Sequence, residues 1–164
     1  RGNAIHPLAR YVYSSGYAEG WALYAERLAN EMQLYGSDLD RMGMLSDQAA
    51  RAARLVVDTG IHAMGWTRDQ AIQFFKDNAP KSELDIVNEI DRYISWPGQA
   101  LAYKIGELKI KQLRGLATAA QGQDFDLRQF HDVVLGSGAI PLDVLEGNVK
   151  RWIDDQARSA QGKP

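Results

Sequence analysis

The stretch Tyr17-Ala18-Glu19-Gly20-Trp21-Ala22-Leu23-Tyr24-Ala25-Glu26-Arg27-Leu28-Ala29-Asn30-Glu31-Met32-Gln33-Leu34-Tyr35 decides the fold class. Within it Tyr17, Trp21, Tyr24, Leu28, Met32 and Tyr35 recur every three, four or seven positions, which lays one apolar stripe along an α-helix. The same period continues down the chain. A short turn of helix is predicted near Asp38 to Met44 and a long helix from about Ser46 to Met64, favoured by its Ala-rich start. Thr67 to Gln70 form a capping-box pattern ahead of Ile72, Phe74 and Phe75, so a helix begins there and ends before Pro80. Ser82 starts another through Ile94. Pro97 fits the first position of a helix reaching Ala120, with Gly122 as its stop. Asp126 caps a segment that ends at Gly136 to Gly138, and Pro141 opens a last helix carrying Leu142, Leu145, Val149 and Trp152. Alternating β-branched runs between hairpin turns are missing. The expectation is all-α: a bundle of about seven to eight helices in one helical domain over residues 1–164, with an irregular lead-in over 1–16 and a frayed tail over 159–164.

The 164 residues carry 19 Lys and Arg against 21 Asp and Glu, a formal charge of −2, without a basic run. That balance argues against nucleic acid as a partner. With no cysteine, disulfides, thiol nucleophiles and Cys-ligated metal sites are excluded. No stretch approaches the length of apolar sequence that spans a membrane. The chain starts at Arg1 and its first methionine is Met32, so we expect a processed product or a piece of a longer protein.

Glu19 lies on the side of the first helix opposite the aromatic stripe, beside Leu23, Glu26 and Asn30. It reads either as part of a solvated face or as a carboxylate offered to a cleft or a metal, and Leu23 and Leu34 on that side point to cover. In the second long helix Arg51, Arg54, Asp58 and His62 form one polar stripe. Asp58, four positions before His62, could hold one imidazole nitrogen and fix the tautomer presented by the other, with Arg54 pairing to Asp58. The alternative is an exposed ion-pair ladder. Tyr103, Gly106, Ile110 and Leu113 share one face of the next long helix while Leu101, Ile105 and Leu108 share another, which predicts burial on two sides. A buried Tyr103 needs a hydrogen-bond partner, and Gly106 leaves room for another backbone or a ligand to approach; the plainer reading is a core tyrosine. His131 reads as a core histidine bonded to a carbonyl, and His6 carries no assignment. H-E-x-x-H, G-x-S-x-G, Walker A and G-x-G-x-x-G motifs are absent from the chain.

Tyr17 to Glu26 resembles the E-G-W-A-L-Y-x-E segment of the bacterial family called domain of unknown function 885, a group placed among zinc-metallopeptidase-like proteins of gluzincin type. Further blocks agree in order: Arg51 to His62, Gly65-Trp66-Thr67, Asp91 to Ile94, Pro97 to Gly106, and Phe130-His131-Asp132. The resemblance implies that this chain is the C-terminal part of a larger, mostly helical metallopeptidase-like fold. Members carry an upstream H-E-x-x-P-G-H stretch, missing here, whose histidines would bind zinc and whose glutamate would activate water. Glu19 matches the third zinc ligand. By the same analogy Tyr103, and after it His62 oriented by Asp58, would donate to the oxyanion of peptide hydrolysis. Arg92 would bind a peptide carboxylate, with Gln99 beside it. The implied cofactor is zinc in the parent protein, at a site incomplete in this chain. The implied partners are a peptide substrate and the missing N-terminal part, and the implied location is exported or periplasmic. Alone, the chain is expected to be inactive; the alternative reading is a non-enzymatic helical interaction module that binds a partner through the aromatic first helix, with homo-oligomerisation of the fragment through exposed apolar surface.

Overall fold

A computed structural model describes residue 7 and residues 11–161. Helix α1 runs Ser15–Glu31 and is started by Ser14, whose hydroxyl accepts from the Tyr17 amide at 3.3 Å. It stops before Met32 and Tyr35, earlier than the apolar stripe predicts. The cause is local: Gln33 turns to a φ of 57°, and the Leu34 amide reaches back to the Ala29 carbonyl at 3.0 Å, a left-handed cap that uses up the last carbonyls.

Helix α2 (Asp38–Ala63) is one unbroken helix where the sequence predicts two pieces. The expected parting falls between Met44 and Ser46, but nothing there breaks the period, and Gly43 just before it costs only its intrinsic penalty of about 1 kcal/mol, so the helix runs across. Helix α3 (Arg68–Asn78) begins with the expected reciprocal Thr67–Gln70 box, and α4 (Glu83–Ser95) is capped by Ser82. Pro97 does not open the next helix. A turn at Gly98 (φ 80°) and one 3-10 turn over Gln99–Leu101 come first, and α5 spans Ala102–Gln121 until Gly122 at φ 56° ends it. Helix α6 (Leu127–Leu135) is capped by Asp126, and α7 covers Leu142–Gln161. The described residues contain seven α-helices and no strand. Residues 1–6 and 8–10 of the expected lead-in, and 162–164 of the expected tail, lie outside the described residues. No described helix is long and apolar enough to cross a membrane.

Two apolar clusters hold the bundle. Ala53, Val57, Ala71, Phe75, Ile86, Ile90 and Tyr93 bind α2, α3 and α4 together. Tyr17, Tyr24, Ile110, Leu113, Phe130, Val134, Leu145 and Val149 join α1 to α5, α6 and α7. The α1–α5 contact is a glycine crossing. An ideal Cβ on Gly106 would lie 1.8 Å from the Gly16 carbonyl oxygen and 2.6 Å from the Gly20 Cα, so the two backbones touch with no side chain between them. The other predicted buried face of α5 is not covered in this chain: Ile105 and Leu108 are exposed.

Candidate functional site

Between the two clusters runs a seam where α2 faces α1 and α5 mostly through polar side chains. Gln48 on α2 donates to the Leu23 carbonyl of α1 at 3.3 Å, and Arg41 donates to Asn30 at 3.2 Å. Those two bonds set an antiparallel register, which brings Glu19 level with the Arg51–Arg54 turn. On the other side Lys104 of α5 donates to Gln48 at 2.8 Å and pairs with the buried Glu107. The Arg51 and Arg54 guanidinium carbons both lie 5.2 Å from the centre of the Tyr103 ring, so the phenol is flanked by two cations.

The polar stripe of α2 is therefore turned inward, and the exposed ladder is not what it forms. Arg54 pairs with Glu89 of α4 at 2.7 Å and not with Asp58. Glu89 also accepts from Arg92 at 3.0 Å and from the Tyr93 hydroxyl at 2.6 Å. Burial alone would raise the Glu89 carboxyl, but the hydrogen bonds from Arg92 and Tyr93 and the charge of Arg54 outweigh it and hold it at about 2. Tyr93 is pushed the other way, up, by burial and by donating to a charged carboxylate.

Asp58 is 2% exposed, and both its oxygens accept from the Gly98 amide at 3.1 Å. The pairing of Asp58 with His62 expected from their spacing does not form. His62 is exposed, and its Nε2 meets the Tyr93 carbonyl at 3.0 Å. Asp58 instead fixes the positive-φ turn that leads into α5, and so sets where Tyr103 begins. Tyr103 is half-buried, and its hydroxyl bonds to no described residue, against the expectation of an enclosed, satisfied phenol. Arg92 and Gln99 are brought together, Nη1 to Oε1 at 2.8 Å. Yet the guanidinium expected to fork onto a substrate is already used at all three nitrogens, with Nε on Glu89 at 3.3 Å and Nη2 on the same carboxylate. Glu19 is half-buried and makes no hydrogen bond or ion pair with a described residue, while its neighbour on that face, Leu23, is 1% exposed. The α1 face is thus covered at Leu23, whereas Leu34, from which cover was also expected, lies beyond the end of α1 and is exposed.

Sequence reasoning passed over Glu89 and Gln48, whose partners Arg54 and Lys104 lie 35 and 56 positions away, over the position of Glu26, and over Lys104 and Glu107, whose spacing of three positions on one helix was a signal that could have found them. The Glu26 carboxyl is pushed up by burial against the pull of Arg51, and its Oε2 is buried without a partner. His131 sits outside the seam. It is half-buried and bonds to the Tyr24 hydroxyl at 2.9 Å, where a carbonyl was expected. Arg114 donates to the same hydroxyl at 3.2 Å, which leaves the Tyr24 proton for the imidazole, and burial together with Arg114 lowers the His131 pKa. His6 lies outside the described residues. Among the described residues no three His, Asp or Glu side chains stand close enough together to hold a metal ion.

The family model described as "Bacterial protein of unknown function (DUF885)" matches residues 1–149. No curated protein matches the chain. Among solved structures it is similar to "the putative lipoprotein from Colwellia psychrerythraea", with 50% sequence identity and a TM-score of 0.87 over 90% of this chain. The chain spans 26% of that protein.

Proposed function

The chain belongs to that bacterial family, and from this premise we propose that it is the C-terminal portion of a zinc-dependent, peptidase-like protein in which Glu19 is the third protein ligand of the metal. The observation that carries the reading is the state of Glu19: a half-buried carboxylate, unbonded to described residues, level with a tyrosine whose hydroxyl is equally unbonded. Glu19 is partly open to solvent and committed to no described residue, so its carboxylate is free to take a ligand from outside the chain.

One glutamate fits one arm of a His₂Glu set, and the histidines would come from the upstream motif that the family resemblance implies. Bound there, the metal would supply Lewis acidity at the scissile carbonyl. Tyr103, held between Arg51 and Arg54, donates a hydrogen bond to the negative oxygen that develops on that carbonyl. Asp58 is a positioning residue for Tyr103 through the Gly98 turn. His62, anchored on the Tyr93 carbonyl, is the second candidate donor. We assign the longer protein an exported location, in keeping with the description of its structural neighbour as a putative lipoprotein. The chain by itself is inactive in this reading.

The test is zinc content and peptide hydrolysis of the longer protein, wild type beside Glu19→Ala, with the 164-residue chain as a third sample. Zinc and activity are expected in the first, loss of both in the second, and neither in the third. An unchanged zinc content in Glu19→Ala, or stoichiometric zinc in the chain alone, overturns the assignment. A second reading, a non-enzymatic interaction module, is favoured by the exposed Ile105, Leu108 and Leu116 on α5. It requires a longer protein that neither binds zinc nor cleaves peptides.

A further inference from the structure

Three arginines border the seam, and their counter-ions are unequally shared. Arg54 has Glu89 at 2.7 Å, and Arg92 has Glu89 at 3.0 Å together with Gln99. Arg51 has only Asp47, at 3.7 Å, and that carboxylate is claimed by Lys81 at 2.6 Å, which holds it below the usual carboxylate range. The Arg51 side chain is 22% exposed and its Nε is buried without an acceptor. Glu26, a carboxylate across the seam that feels the charge of Arg51, forms no ion pair with it, although the Glu26 Oε2 is also unpartnered.

Arg51 opens onto a cleft of about 260 Å³, lined also by Arg54, Lys81, Asp85, Asn88 and Glu89. Every carboxylate on its wall is engaged: Asp85 with the Ser82 hydroxyl at 2.7 Å, Glu89 with its three donors. Asp85 is exposed and has no ion pair with a described residue, but Arg51, Arg54 and Lys81 outnumber the two carboxylates on the wall, so the cleft keeps an excess of cationic donors. The volume lies just under the range of about 300–1,000 Å³ for whole-ligand pockets, so it suits one residue of a substrate and not an entire peptide. The same arginine touches the cleft and the Tyr103 ring, joining the subsite to the reacting position.

Resting on the peptidase reading, we propose that Arg51, with Lys81 and Asn88 beside it, anchors a carboxylate of the peptide substrate, in place of Arg92, whose nitrogens are taken. A planar guanidinium with an unused edge recognises a carboxylate through paired hydrogen bonds. A peptide carries that group at its C-terminus or on an acidic side chain.

The test uses the longer protein and calorimetric binding of three probes: acetyl-Ala-Ala free acid, acetyl-Ala-Ala amide and acetyl-Ala-Glu amide. Wild type binds at least one carboxylate probe tenfold or more tighter than acetyl-Ala-Ala amide. Preference for the first probe identifies the chain terminus as the group held, preference for the third the side chain. Arg51→Gln removes the preference. Arg51→Lys, which keeps the charge without the fork and guards against a misfolded Gln variant, weakens it severalfold. No preference in wild type, a preference that survives in Arg51→Lys at full strength, or one lost in Arg92→Gln but kept in Arg51→Gln, overturns the proposal. Hydrolysis is scored separately: a carboxylate preference without zinc or cleavage retains the anchor and removes the peptidase reading.

Discussion

Replacing Gly106 by Ala adds one methyl group where two helix backbones meet. The new Cβ would stand 1.8 Å from the Gly16 oxygen, whereas real Cβ atoms keep at least 3.0 Å, so α1 must retreat by about 1 Å or more. The obstructing atoms are backbone on α1, and a rotamer change cannot relieve the clash. Overpacking of this kind costs about 1–3 kcal/mol and sometimes more, against a gain of up to about 1 kcal/mol from replacing a helical glycine. We expect a net loss of about 1–2 kcal/mol, equivalent to a fall in Tm of roughly 2–8 °C for a chain of this size. The assay is thermal unfolding of the chain followed by circular dichroism at the helix band. Gly115→Ala on the same helix is the control, because an added Cβ there meets nothing within 4 Å and should stabilise by about 0.5–1 kcal/mol. If Gly106→Ala melts at or above wild type, the close crossing is refuted, and with it the register that brings Glu19 and Tyr103 to one end of the seam.

Asp58→Ala should destabilise the chain by about 1.5–3 kcal/mol, the worth of a hydrogen bond to a charged acceptor, and should speed amide exchange at Gly98; unchanged exchange there would contradict the capping role. Glu89 sits at about 2 when folded against its ordinary 4.5, so its contribution is fully present above about pH 4.5 and is lost as pH falls towards 2. With the side chain 31% exposed, that contribution is about 2 kcal/mol, and Glu89→Gln should flatten the acid limb of the stability curve between those pH values. The Glu19→Ala and Arg51→Gln experiments above complete the set.

The helices were legible because their signals are local. The Thr67–Gln70 box, the Asp126 cap and the Gly122 stop all act within one turn of the residues that encode them. Where a local signal misled, something elsewhere in the chain had the last word. The gap expected between Met44 and Ser46 closes once the turns on both sides are counted, and Pro97 looks like a helix start only while Asp58, which holds Gly98 from 40 positions away, is left out. The site was less legible for the same reason. Arg54 finds Glu89 across 35 positions and Gln48 finds Lys104 across 56, and no periodicity reports such pairs. Asp58 and His62 share a helix face, yet each is satisfied by backbone from outside α2. The resemblance singled out Glu19 and Tyr103, which are uncommitted; it could not show that Arg92 is occupied while Arg51 is free of a close partner.

The two clusters also differ in how they are threaded. Residues binding α2 to α3 and α4 are neighbours along the chain, so that unit can assemble as it is made. The cluster around α1 is split: Tyr24 meets Arg114 across 90 positions, with the whole of α2, α3 and α4 intervening. Within this chain the partners of Tyr17, Trp21 and Tyr24 are supplied by α5 and the helices after it, so α1 waits for them through the synthesis of α2, α3 and α4. Of the seven described helices the one that bears Glu19 is thus made first and seated late, and its carboxylate takes its station only after both halves of the seam are standing.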